Sequence, residues 1–245
     1  VSYLDEGRRR DEQLLLIGAS RPALLTACAA LPDRDELLAG GRLDLQTTGD
    51  AYAGGSGLAP LEQVERYRAA VQEALGSGRT GLRVAADVTA LIRDGRSGRR
   101  RLHAYEQLAD VLMGAVPMTA VCLYDESVGA EELGPVAVLH PLQHLGDRQP
   151  QTHLSGRGPR LSLHGEVDLT EAEHVRTALV DVAGDGSGEL VLDLSDLDFL
   201  DVAGGRALYG ARRDLAARGI RLRLAGAPRH VRRCLGLFDL AVEPA

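Results

Sequence analysis

The stretch LVLDLSDLDFLDVAGG, residues 190–205, decides how the second half of this chain is read. Leu190, Leu192 and Leu194 alternate with Val191 and Asp193, the period of two of a strand with one face on a core. Asp196, Asp198 and Asp201 crowd the turn that follows, and a helix is expected to start at Ala203–Gly204. A strand that runs through a turn into a helix N-terminus leaves backbone N–H groups pointing outward. That setting suits an anion or a partner's acidic side chain.

The flanking sequence repeats the alternation. Leu161, Leu163, Gly165 and Val167 alternate with Ser162, His164 and Glu166, and Ile220, Leu222 and Leu224 with Arg221 and Arg223. Between these strands, Thr170 and Glu173 have the spacing of a capping box, opening a helix with Ala172, Val175, Leu179 and Val182 inward. A second helix from Gly204 to Arg218 buries Leu208, Ala211 and Leu215 and stops at Gly219. Pro228 opens a last one around Val231 and Leu235. Strands with one apolar and one polar face predict helices on one face of the sheet only.

The N-terminal half has a different pattern. Gln13–Ala19, Arg42–Thr47, Gly81–Val88 and Met118–Tyr124 read as strands, the first a continuous apolar run of the kind covered on both faces. Helical stretches lie between them: Ser20 with Pro22 opens one, Arg34–Ala39 is a short one, and Pro60–Gly76 carries Val64, Tyr67 and Val71 as one stripe. Another has Leu102, Tyr105, Ala109 and Leu112 inward. Gly49–Gly57 reads as a loop, Ser56 in it as a loop serine. Strands alternating with helices predict an α/β fold with a parallel sheet, whose ligands sit at the carboxyl ends of the strands. Ser20, Asp87, Thr89, Tyr124 and Asp125 are the ligand-binding candidates on that rim, and Glu106, which follows core Tyr105 and faces either solvent, the safer reading, or the cleft, is added to them. His144–Arg160 loses apolar periodicity and gains Gly, Pro and Gln, the composition of a linker.

Composition excludes several functions. All 28 basic residues are Arg, so no Walker A lysine, Schiff base or lysine general base exists. Cys28, Cys122 and Cys234 stand apart without pairing or metal-ligand spacing, and His140, His144 and His153 have no thiol or carboxylate at ligand spacing. No metal or cofactor is expected. A formal net charge of −7 argues against nucleic-acid binding. No apolar run is long enough to span a bilayer and no secretory signal is present, so a cytoplasmic protein is expected. GSGRTG at residues 76–81 matches a dinucleotide fingerprint by letter but follows a helix and precedes a strand, the reverse of the required context. No nucleophile–base or paired-carboxylate arrangement can be assembled, and the expectation is a binding protein, not an enzyme.

Residues 159–245 resemble a STAS domain, through LVLDLSDLDFLDVAGGRALYGARRDL at 190–215 and LSLHGEVDLTEAEHV at 161–175. This fold is that of anti-sigma factor antagonists. Its helix start carries aspartate, serine, serine or threonine, then glycine, and a partner kinase phosphorylates the second hydroxyl. The matching positions are Asp201, Val202, Ala203 and Gly204, so the phosphorylated hydroxyl has no counterpart. Residues 1–143 resemble the MEDS sensory domain, found fused to STAS in actinobacteria, through GLRVAADVTALIRD at 81–94, Tyr105–Glu106, PMTAVCLYD at 117–125 and LHP at 139–141. Because the chain begins at Val1 without the further strand, helix and His-x-Cys element of that family, an N-terminally incomplete domain is expected. The resemblances imply a sensory domain at 1–143, a linker at 144–158 and a smaller STAS domain at 159–245. They further imply a transcription-regulating signalling protein that senses a small organic ligand or partner and binds an anti-sigma factor, a serine kinase or another STAS-pathway regulator through Asp198, Asp201, Val202, Ala203, Gly204 and Arg206. The alternative is a ligand-gated scaffold that self-associates as a homo-oligomer.

Overall fold

In the computed structural model, which describes residues 1–52, 58–142, 152–184 and 187–244, the apolar run QLLLIG is an inner strand of a parallel sheet. The elements of the first unit, Val1–Val128, are α1 (Ser2–Arg9), β1 (Gln13–Gly18), α2 (Arg21–Ala27), α3 (Arg34–Ala39), β2 (Leu43–Thr47), α4 (Thr48–Tyr52), α5 (Pro60–Gly76), β3 (Leu82–Asp87), α6 (Thr89–Ile92), α7 (Gly95–Met113) and β4 (Met118–Leu123). The strand order is β2-β1-β3-β4, every pair parallel. The chain moves from β1 outward to β2, then crosses back to β3 on the other side of β1. The carboxyl ends of β1 and β3 therefore flank a topological switch point. Leu14, Leu16, Leu43 and Leu45 face α1 to α3 in one core, joined by Leu4, Leu24 and Leu37. Right-handed crossovers put α5 and α7 on the opposite face.

A buried ion pair fastens the α1–β1 connection to this sheet. Arg83 of β3 is 3% exposed, and its Nε donates to Glu12 while its guanidinium lies 4.6 Å from the Tyr3 ring centroid. Gly7 makes room for it, since a Cβ there would stand 2.5 Å from Arg83 Cδ.

The second unit, Gly129–Ala245, holds α8 (Ala130–Ala137), β5 (Thr152–Arg157), β6 (Arg160–Val167), α9 (Ala172–Val182), β7 (Gly188–Asp193), β8 (Leu197–Leu200), α10 (Val202–Ala216), β9 (Ile220–Ala225), α11 (Arg229–Gly236) and β10 (Val242–Glu243). Its sheet is mixed, in the order β10-β9-β7-β6-β5, with β5 antiparallel to β6 and β8 paired to β6 beyond the end of β7. Leu161, Leu163, Leu190, Leu192, Leu222 and Leu224 are buried in one core with Val175, Leu179, Leu208 and Leu215 of α9 and α10. The alternate residues Glu189, Arg221 and Arg223 leave the other face polar.

Four local features differ from expectation. Of the linker expected at 144–158, residues 144–151, His144 among them, lie outside the described residues, and Thr152–Arg157 form β5 because each residue pairs with β6. The acidic turn after β7 contains a four-residue strand, β8, held by Gly165–Val167. The Thr170–Glu173 box does not cap α9; Asp168 Oδ1 instead accepts the N–H groups of Thr170 (2.8 Å) and Glu171 (3.3 Å). The loop expected from Gly49 begins as α4, and residues 53–57, with Ser56, lie outside the described residues. The compact units part at Val128. Val138 and Leu139 enter the second core, and the Leu154 N–H donates to Val138 O at 2.8 Å. Among the described residues no helix is long and apolar enough to cross a membrane.

Candidate functional site

The start of α10 is built by its own sequence. Asp201 is extended (φ −91°, ψ −177°), and its Oδ1 accepts the Gly204 N–H at 2.8 Å, a side-chain N-cap. Its own N–H donates to Val167 O at 3.2 Å and its carbonyl accepts from Cys234 Sγ at 3.1 Å, so the cap is tied to β6 and α11. Gly204 is a spacer: a Cβ there would lie 2.5 Å from Leu200 Cδ1 and 3.0 Å from Val167 O. The missing side chain lets α10 lie directly on β6 and β8.

This close approach pushes other residues outward. Leu197 and Leu200 of β8 are buried, which turns Asp198 and Phe199 to solvent. His230 Nε2 donates to the Asp198 carbonyl at 2.8 Å. Val202 is 54% exposed and Phe199 45%, and Leu169, two residues past the β6 partner of Leu200, is 77% exposed. Arg206 is exposed one turn into the helix, while Ala203 is half-buried and packs on the core. The structure thus gathers Asp198, Asp201, Val202, Ala203 and Arg206 at one helix start, with Gly204 buried beneath. Sequence reasoning missed Phe199 and Leu169. Phe199 is one of only 2 phenylalanines in the chain and lies inside the decisive stretch, which was the available signal.

In the first unit the rim residues mostly bond to one another. Asp87 Oδ1 accepts the Thr89 N–H at 3.0 Å, Thr89 Oγ1 accepts the Asp125 N–H at 2.9 Å, and Asp87 O accepts from Thr48 Oγ1 at 3.2 Å. Bonds from Ser127 hold the exposed Asp125 carboxyl below its usual range. Ser20 is the N-cap of α2, its Oγ accepting from the Ala23 N–H at 3.4 Å. These four side chains organise the loops at the strand ends.

Glu106 and Tyr124 belong to a deeper polar cluster. Tyr52 and Tyr67 share a hydrogen bond of 3.0 Å, and the Tyr105 ring meets Tyr52 edge-on at 6.0 Å between centroids. Glu106 is buried at 5% exposure and accepts from Cys122 Sγ at 3.7 Å. The Tyr124 hydroxyl is shut off from solvent without a hydrogen-bond partner among the described residues. A buried unpaired hydroxyl is costly, so this one calls for a water or another polar group as its partner. The phenols of Tyr67 and Tyr105 were missed because both side chains read as core stripe.

Burial pushes all four phenols up, Tyr67 to about 12, and burial followed by Glu106 pushes the Cys122 thiol up. Cys122 is thus a protonated donor, unsuited to nucleophilic attack. The folded state holds these protons more tightly than the unfolded chain, whose ordinary values are 9.0 and 10.0. Their stabilisation is complete below pH 9 and is lost as pH rises through 10 toward about 12. Tyr67 alone contributes roughly 2–3 kcal/mol at most. The first unit is therefore expected to unfold in alkali with tyrosinate absorbance rising in step with loss of helical circular dichroism; tyrosinate appearing fully before unfolding would contradict this burial.

Residues 1–141 match the family model MEDS, described as the methanogen/methylotroph, DcmR sensory domain, and residues 151–242 match the model STAS_2, described as Mlab, STAS domain. No curated protein matches the chain.

Proposed function

Since the chain belongs to the MEDS family over residues 1–141 and carries a STAS domain over 151–242, we propose that this signalling protein couples a sensory domain to a docking domain that lacks the usual phosphate switch. The STAS unit binds an anti-sigma factor of the serine-kinase type through the β8–α10 turn, and the MEDS unit takes a small organic ligand at Glu106 and Tyr124. The protein acts by binding and catalyses nothing. The observation that carries this reading is the start of α10: the Asp201 cap and the Gly204 spacer are in place, yet the two residues between them are Val202 and Ala203. Without a hydroxyl there, a kinase has no acceptor. An exposed apolar Val202, three residues past the exposed Phe199, replaces it, which suits a partner's apolar side chains rather than phosphate-gated release. Control then falls to the sensory unit.

The test is calorimetric titration of the full chain with a serine-kinase anti-sigma factor in the presence of ATP, followed by intact-mass measurement. The complex is expected to persist with no phosphate on residues 198–206, whereas the Ala203→Ser variant gains one phosphate and binds at least about tenfold more weakly. Phosphorylation and release of the parent protein would overturn the proposal. A fixed higher oligomer with no affinity for any such factor would favour the self-associating scaffold.

A further inference from the structure

The sheet of the second unit ends on an incomplete strand. β10 pairs only Val242 and Glu243 with Leu224 and Ala225, leaving Ile220–Arg223 of β9 without an outer neighbour. Which backbone groups face that gap follows from the bonds on the other side. Gly188 N–H donates to Gly219 O and Leu194 N–H to Ala225 O, so the odd-numbered residues of β9 direct their backbone groups at β7. The N–H and C=O groups of Ile220 and Leu222 therefore face outward, and among the described residues no strand pairs with them. A groove of about 470 Å³ lies along this same edge, lined by Arg212 and Ala216 of α10 and by Leu240 and Ala241.

The charges along the groove are not balanced. Arg223 is paired with Glu189 at 2.6 Å and with Glu243. Arg212 rests on the Tyr209 ring at 5.3 Å and donates to the Asp239 carbonyl at 3.4 Å, neither of which is a carboxylate. Arg221 is exposed, with no partner among the described residues. Arg221 stands on the polar face of β9, and Arg212 reaches the edge from the helix. An added strand, whose side chains alternate between faces, would meet a cation on each. We propose that the open edge of β9 is a strand-addition site for an extended acidic peptide segment, about four residues of which pair with Ile220 and Leu222 while carboxylates meet Arg221 and Arg212. The apolar residues Ala216 and Leu240 take the side chain between them.

The probe is an acetylated, amidated Glu-Val-Glu-Val-Glu peptide carrying a fluorophore, titrated with the full chain and read by anisotropy. Saturable binding is expected, weakened at least about tenfold by Arg221→Glu, whose exposed position leaves the fold intact by circular dichroism. The same peptide with alternate backbone amides N-methylated keeps its charge but loses its donors, and it is expected not to bind. Val202→Asp is expected to leave peptide binding unchanged, which separates this site from the β8–α10 turn. No binding of the probe, equal binding of the methylated control, or indifference to Arg221→Glu would overturn the proposal. A dimer that Arg221→Glu dissolves and the peptide does not displace would assign the edge to a second copy of the chain and overturn it too.

Discussion

Val202→Asp is expected to weaken the STAS unit's partner binding at least about 30-fold while leaving the unit as stable as the parent, or slightly more so. The two effects separate because of where Val202 stands. It is the first helical residue of α10 and 54% exposed, so its replacement opens no cavity. A carboxylate at that position faces the positive end of the helix macrodipole, worth about 0.3–1 kcal/mol in favour of folding. Asp201 keeps its bond to the Gly204 N–H, since that cap uses its own side chain. In a complex the same carboxylate would be stripped of water and unpaired. Loss of an apolar anchor at the centre of an interface costs about 2 kcal/mol or more, the source of the 30-fold figure. Calorimetric titration with the anti-sigma factor, run beside thermal melts, reads both effects. Unchanged affinity would remove this turn from the interface.

The largest expected effect on folding lies in the first unit, at Glu12→Ala. Arg83 has side-chain exposure of 4% and pairs with Glu12, itself 13% exposed; Glu6 Oε2 stands farther away at 3.5 Å. Removing Glu12 leaves a buried guanidinium with weaker contacts, Glu6 at 3.5 Å, the Tyr3 carbonyl at 3.4 Å and the Tyr3 ring, and losses of about 3 kcal/mol follow when one partner of a buried pair is removed. The Arg83→Met, Glu12→Leu double variant removes the uncompensated charge and is expected to recover most of the loss, because a buried ion pair and an apolar pair of similar volume differ little. Urea unfolding measures both. A single variant within about 0.5 kcal/mol of the parent would show that Arg83 does not depend on its partner.

Much of this architecture is written locally. Leu190–Leu194 and Ile220–Leu224 each alternate over a full strand, and Leu14–Gly18 has no polar side chain to offer solvent, so both sheets were legible from local pattern. β8 was not. Its four residues sit between Asp196 and Asp201, and only pairing with Gly165–Val167, 32 to 33 residues earlier, makes them a strand. β5 was hidden for a related reason. Its Gly, Gln and His neighbours read as linker, while its pairing partner β6 follows it across a short turn.

The site divided in the same way. Asp201 and Gly204 were legible because a cap and a close approach are demands on single residues. The exposure of Phe199 and Leu169 depends on how α10 is seated on β6, which no local pattern encodes. Glu106 follows core Tyr105 and by spacing alone fits either solvent or interior; the structure sets it inward against Cys122. The meeting of the Tyr52 and Tyr67 hydroxyls needs α4 and α5 brought together at the end of the sheet, a tertiary fact.

Hydrogen–deuterium exchange of the full chain, alone and with a serine-kinase anti-sigma factor, tests most directly whether the β8–α10 turn is the docking surface. Slowed exchange confined in the second unit to residues 197–208, unchanged by ATP, is the predicted result. Protection elsewhere in that unit with 197–208 unaffected would contradict it.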